Sequence, residues 1–173
     1  DFDQQGRFFR FENVTRARSL GAEGAAGWSS PGEYVSIDGN VTWQDFRNLS
    51  EDGAMAVFKG DAIPNRPWLF ANGSLRLKKS AAVVSGDSLE LAWYGRYVHA
   101  FFRSWESAGA LDTKASVDAQ FIQSLLLTYL ISGPRSTFSS TLEIDNLTDA
   151  KAFDFYGVQR PGRAAYYKAT LAL

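Results

Sequence analysis

With one imidazole and no thiol in the chain, any chemistry must run on His99, on carboxylates or on hydroxyls. His99 lies in Trp93–Trp105, "WYGRYVHAFFRSW", where aromatic rings and two arginines crowd into thirteen residues. Read at period two, this segment puts Tyr97, His99, Phe101 and Arg103 on one face. A mixed aromatic and basic face of that kind suits orienting or protonating a carbonyl-bearing apolar ligand. It equally suits a hydrogen-bonded histidine at a sheet surface. In a second stretch, Lys151–Arg163, "KAFDFYGVQRPGR", Asp154 and Tyr156 alternate away from Phe153 and Phe155. That alternation could set a carboxylate and a phenol beside a ligand as proton donor or acceptor. The candidate catalytic residues are therefore His99, Asp154 and Tyr156, with Trp93, Tyr97, Phe101, Arg103 and Phe155 as candidate substrate-binding residues.

Other chemistries find less to use. One histidine without cysteine cannot make a zinc site of the usual composition, and no segment spaces its acids as a calcium loop does. A serine nucleophile would have only His99 as base, and no Gly-x-Ser-x-Gly elbow occurs. No glycine-rich phosphate cradle or dinucleotide fingerprint is present, so no cofactor is expected. Glu90, Glu143 and Asp154 could pair as general acid and base. Glu90 and Glu143, however, alternate against apolar neighbours and read as a solvated face.

Eighteen basic against nineteen acidic residues, with no basic stripe, argue against a nucleic-acid partner. The longest apolar run, Leu125 to Ile131, is far short of the roughly 20 residues of a membrane-spanning helix, so a soluble chain without a transmembrane segment is expected. Five of the six asparagines open an Asn-x-Ser/Thr triplet: Asn13, Asn40, Asn48, Asn72 and Asn146. Read as glycosylation sites, they predict a secreted protein or one held in the lumen of a eukaryotic secretory pathway. The absence of cysteine pulls the other way, because small secreted domains lean on disulfides.

The elements that would position these residues read as short strands between turns. Turn signals fall at Gly21–Gly24, Ser30-Pro31-Gly32, Asp38-Gly39-Asn40, Asp52-Gly53, Pro64–Pro67, Asn72-Gly73, Gly86-Asp87, Gly133-Pro134 and Pro161-Gly162. Asn72-Gly73, between Trp68-Leu69-Phe70 and Leu75-Arg76-Leu77, is the strongest hairpin signal. Leu89, Leu91 and Trp93 share a face, as do Leu142 and Ile144, and Tyr167, Ala169 and Leu171; each face demands a core. Residues 116–132 are ambiguous, because Val117, Phe121, Leu125 and Tyr129 recur at helical spacing while Thr128–Ile131 is good strand material. Gly21 to Gly32 reads as a loop in which Trp28 plugs a barrel end or anchors the core.

At 173 residues, 45% hydrophobic and 14% aromatic, the chain can bury one substantial core, so a single domain over 1–173 is expected. The strand rhythm predicts an all-β antiparallel barrel of about eight strands, with one short helix near 116–132 or none; a β-sandwich is the alternative. Over most of its length, in the aromatic segments Trp93–Trp105 and Phe153–Val158, the chain resembles the calycin and allene-oxide-cyclase-like barrels, which include lipocalin-like and dirigent-like proteins. The lipocalin Gly-x-Trp hallmark is not met, since Gly27 directly precedes Trp28. The resemblance implies a preformed apolar cavity that folds a hydrophobic small molecule, with one or two donors to polarise it and no cofactor. The activity expected on that basis is a cofactor-free cyclase or isomerase, pericyclase-like, in natural-product biosynthesis. The alternatives are a non-catalytic ligand carrier and a carbohydrate-binding sandwich.

Overall fold

Alternating, β-branched and aromatic segments pair here into one long antiparallel meander. A computed structural model describes residues 13–110, 114–154 and 158–173. Seven strands form a single sheet in the order β1 (Ala17–Ser29), β2 (Val35–Asn48), β3 (Leu69–Ser80), β4 (Asp87–Val98), β7 (Gln120–Ser132), β8 (Thr137–Asp145) and β9 (Ala164–Ala172). A two-stranded ribbon, β5 (Phe101–Phe102) with β6 (Ser116–Val117), lies in the β4–β7 connection. The all-β class and the antiparallel pairing are as the sequence predicts. The ambiguous segment 116–132 contains no helix and is strand from Gln120 to Ser132, because the neighbouring strands β4 and β8 take up its backbone groups there.

Connections differ sharply at the two ends. Residues 30–34, 81–86 and 133–136 make short turns of four to six residues at one end. Residues 49–68, 99–119 and 146–163 make connections of eighteen to twenty-one residues at the other. The turn end is tied by Asp87, whose carboxylate accepts the backbone N–H groups of Ala82, Val83 and Val84 and the Tyr129 hydroxyl. Burial favours the neutral acid, but these four donors outweigh it and hold the Asp87 carboxyl below the usual carboxylate range.

Several expected turns lie inside strands instead. Asp38-Gly39-Asn40 sits within β2 and Asn72-Gly73 within β3, where the two pairs face one another across the ladder. The physical reason is packing. Gly39, Gly73 and Gly95 are successive partners across β2, β3 and β4, and the Trp93 indole lies against Gly73 and Gly95. A Cβ on Gly95 would stand 2.6 Å from the Trp93 ring. The glycines make room for a ring, and a local turn rule cannot see a neighbour from another strand. Likewise β1 runs straight through Gly21–Gly27, and Trp28 is a strand residue, 57% exposed.

Opposed residues share a face, so the registers carry one alternation across all seven strands. The first face holds Leu20–Trp28 on β1, Val35–Trp43 on β2, Leu69–Leu77 on β3, Leu89–Tyr97 on β4, Phe121–Ile131 on β7, Phe138–Ile144 on β8 and Ala165–Leu171 on β9, taking alternate residues. The second face carries Glu23, Asp38, Arg76, Lys78, Glu90, Arg96, Glu143 and Lys168 among serines, threonines and asparagines. Glu90 and Glu143 thus lie opposite the apolar face, as their alternation predicts.

That apolar face is not a core. Trp28, Ile37 (50%), Leu127 (41%) and Tyr167 (68%) are open to solvent. The cluster of buried side chains, Val98, Phe101 and Val117 with Phe70 and Phe153 against it, is small and sits under the long connections on the second face. The accessible surface is 12079 Å², against about 8,400 Å² for a compact chain of this mass. Among the described residues β1 pairs only with β2 and β9 only with β8, so the seven strands form an open wall.

Candidate functional site

The sequence-predicted site residues are divided by the sheet. Trp93 and Tyr97 project from β4 onto the apolar face. The Trp93 Nε1–H donates to the Gln123 Oε1 at 3.2 Å, and the indole tilts against Phe121. His99 follows β4, with its Nδ1 2.8 Å from the Tyr97 hydroxyl and its ring 4.5 Å from that of Trp68. Phe101 packs in the small core and also lines the cleft that holds His99, and Arg103 continues past β5, its N–H donating to the Ala115 carbonyl. Asp154 belongs to the second face, where its Oδ1 accepts the Val158 N–H at 2.9 Å. Phe155 and Tyr156 lie outside the described residues. His99 and Asp154 therefore line different clefts, and the structure does not assemble them as one acid–base pair.

His99 does line a cleft of about 660 Å³ at the long-loop end, with Trp43, Phe46, Trp68 and Phe102. Its charged groups already hold partners. Arg47 bridges Asp45 (2.8 Å) and Glu106 (3.0 Å), Arg18 holds Asp45 at 2.6 Å, and Arg66 stacks on Phe46. The Arg18 hydrogen bond, opposed by burial and reinforced by Arg47, keeps the Asp45 carboxyl below the usual carboxylate range.

The sequons divide in the same way. Asn13, Asn40 and Asn72 are exposed, the last two bonded to each other at 2.9 Å. Asn48 is 0% exposed: its Nδ2 donates to the Met55 carbonyl and its Oδ1 accepts the Ser50 N–H. Asn146, 5% exposed, grips Ala150 through both amide atoms. A glycan on either nitrogen does not fit this fold, because each amide is buried and closes a turn by its own hydrogen bonds.

The feature that sequence reasoning passed over is the apolar face as a whole. From Leu20 to Trp28, Val35 to Trp43, Leu69 to Leu77, Leu89 to Tyr97 and Phe121 to Ile131, it carries no charged residue. Charges begin one step outside. Arg18, Asp45 and Arg47 stand at the long-loop end; Lys79 and Asp87 stand at the turn end. Aromatic rings mark both margins, with Trp43, Tyr97 and Phe121 toward the loops and Trp28, Tyr129 and Phe138 toward the turns, while the middle mixes leucine, isoleucine and valine with Trp93, alanines, glycines and the amide of Gln123. The signal was present in the alternation, but only the registers show that seven such stripes align.

Among the described residues, no helix is long and apolar enough to cross a membrane. No protein-family model matches the chain, and neither does a curated protein or a solved structure.

Proposed function

We propose that these seven strands are part of the wall of a transmembrane β-barrel of the outer-membrane type, with the apolar face toward lipid and the polar face toward a lumen through which polar solutes pass. One observation carries this reading: a solvent-exposed, charge-free band nine to eleven residues deep, bounded by rings and then by charges. A membrane-crossing strand needs about 9–11 residues at a tilt near 45°. At roughly 3.4 Å per residue and that range of tilts, the band stands about 19–28 Å tall, which brackets the roughly 25 Å apolar belt of such barrels. Short turns at one end and long loops at the other, a polar inner face and aromatic girdles complete the pattern. The arithmetic that excludes a spanning helix does not apply to strands, whose backbone groups are satisfied by their neighbours.

Topology adds a requirement. In a seven-stranded meander β1 and β9 run in the same direction, so an all-antiparallel closure needs an odd number of further strands from outside these seven. The exposed edges of β1 and β9 are where they would pair. We prefer this reading to a cavity-based cyclase, a ligand carrier or a sugar-binding sandwich, because the band's rings face outward over a lipid-sized height. An outer membrane accordingly replaces the secretory lumen as the proposed location.

The test is depth-resolved quenching. Single-tryptophan variants retaining Trp28, Trp43 or Trp93 are inserted into vesicles of phospholipid brominated near the headgroup or deep in the acyl chain. Deep bromines should quench Trp93 most strongly, and shallow ones Trp28 and Trp43. Equal, weak quenching of all three at both depths would refute the lipid-facing assignment.

A further inference from the structure

We infer that the polar face carries an oxyanion site, formed by Arg96 on β4 and Arg160 in the β8–β9 connection, for a carboxylate- or phosphate-bearing solute. The inference rests on the barrel reading only for the solute's route, since the site is built whatever the apolar face meets. Both guanidinium groups belong to one open cleft of about 390 Å³, flanked by the rings of Tyr94 and Tyr166, and both reach an adjoining smaller cleft. Among the described residues neither arginine makes an ion pair. Asp145 and Asp154 line these clefts but stay beyond ion-pair distance of both.

Two cations converging without a counter-ion repel each other. Partial burial, and then the charge of Arg160, lower the pKa of Arg96 below the usual guanidinium range. An anion between them removes that repulsion and gains charge-assisted hydrogen bonds, which guanidinium forks offer to planar carboxylates and to phosphates.

Arg160 is held in place rather than trailing in a free loop. Its N–H donates to the carbonyl of the buried Ala152, and the Phe153 N–H donates to the Gln120 Oε1 at 2.6 Å. Asp149 clamps the far end by accepting the Arg163 N–H at 2.8 Å. Arg96 stands on a ladder between Asn72 and Ile122. Both donors are thus positioned before a ligand arrives, which lowers the ordering cost of binding.

Inorganic phosphate and citrate are titrated calorimetrically into the detergent-solubilised protein and into Arg96→Gln, Arg160→Gln and Arg135→Gln, the last lying in the turn at the opposite end. Saturable binding is expected, at least tenfold weaker in the first two variants and within twofold of the parent in the third. Tighter citrate assigns a carboxylate solute and tighter phosphate a phosphorylated one; either supports the site. Arg160 lies outside the strand ladders, so Arg160→Gln reports on the site even if Arg96→Gln misfolds. No saturable binding of either anion, or one affinity in every variant, overturns the site. Bromine quenching of Trp93 is read separately, on the single-tryptophan variant in brominated-phospholipid vesicles, so losing anion binding while quenching persists removes the site without touching the barrel reading.

Discussion

Leu127 stands near the centre of the apolar band on β7, between Leu91 of β4 and Leu142 of β8, and is 41% exposed. If the face met water, Leu127→Arg would be an ordinary surface change, worth within about 0.5 kcal/mol. If it meets lipid, an arginine near the bilayer midplane costs about 2–4 kcal/mol, which is roughly a 30- to 1000-fold shift in the folding equilibrium. Depth supplies an internal control. Ile131→Arg, four residues toward the turns on the same strand and face, lies at the margin, where the cost falls to about 0–1 kcal/mol beyond any lost packing. Ala25→Arg on β1 supplies the second control, because its side chain joins Glu23 and Asn40 on the polar face. The assay is urea unfolding in phospholipid vesicles, followed by tryptophan emission. The expected order of destabilisation is Leu127→Arg well above Ile131→Arg, with Ala25→Arg near the parent. Equal effects for Leu127→Arg and Ala25→Arg, or a stable monomer in water without lipid, would sink the argument.

Two further predictions concern the scaffold. Gly95→Val places carbon where the Trp93 ring lies, 2.6 Å from a built Cβ; overpacking of this kind costs about 1–3 kcal/mol and should shift the tryptophan emission, whereas an unshifted spectrum at full stability would contradict the packing. Asp87 is held below the usual carboxylate range by the Val84, Tyr129, Ala82 and Val83 donors against the pull of burial, so its stabilisation is complete above the unfolded pKa and is lost as pH falls through the lower folded one. The unfolding midpoint of the parent should drop on acidification more than that of Asp87→Asn, and parallel pH profiles would show that the turn anchor contributes nothing.

Much of the local pattern was legible from the chain. Leu89-x-Leu91-x-Trp93, Leu142-x-Ile144 and Tyr167-x-Ala169-x-Leu171 each announce a strand with one apolar side, and each occupies such a strand. Turn reading succeeded at Ser30-Pro31-Gly32, Gly86-Asp87 and Gly133-Pro134, where the chain does reverse. It failed at Asp38-Gly39-Asn40 and Asn72-Gly73, because both glycines pair inside the ladder and Gly73 lies against an indole from β4. The site reading failed for a related reason. Tyr97, His99 and Phe101 look like one stripe, but β4 ends at Val98, and Phe101 packs in the small core while still lining the His99 cleft. Asp154 shares no cleft with His99.

Composition and alternation by themselves determined an all-β, antiparallel protein with an apolar and a polar side to several of its strands, since period two is a property of the extended backbone alone. They could not determine what the apolar side meets. A hydrophobic stripe reads the same whether it closes a core, lines a cavity or faces lipid, because each medium removes it from water. What only the tertiary structure decided is that the stripes align: seven of them share one register on a face that nothing in the described chain covers, with rings and then charges at both margins. The same fold gathered Arg96, on β4, and Arg160, in the β8–β9 connection sixty-four positions later, over one cleft.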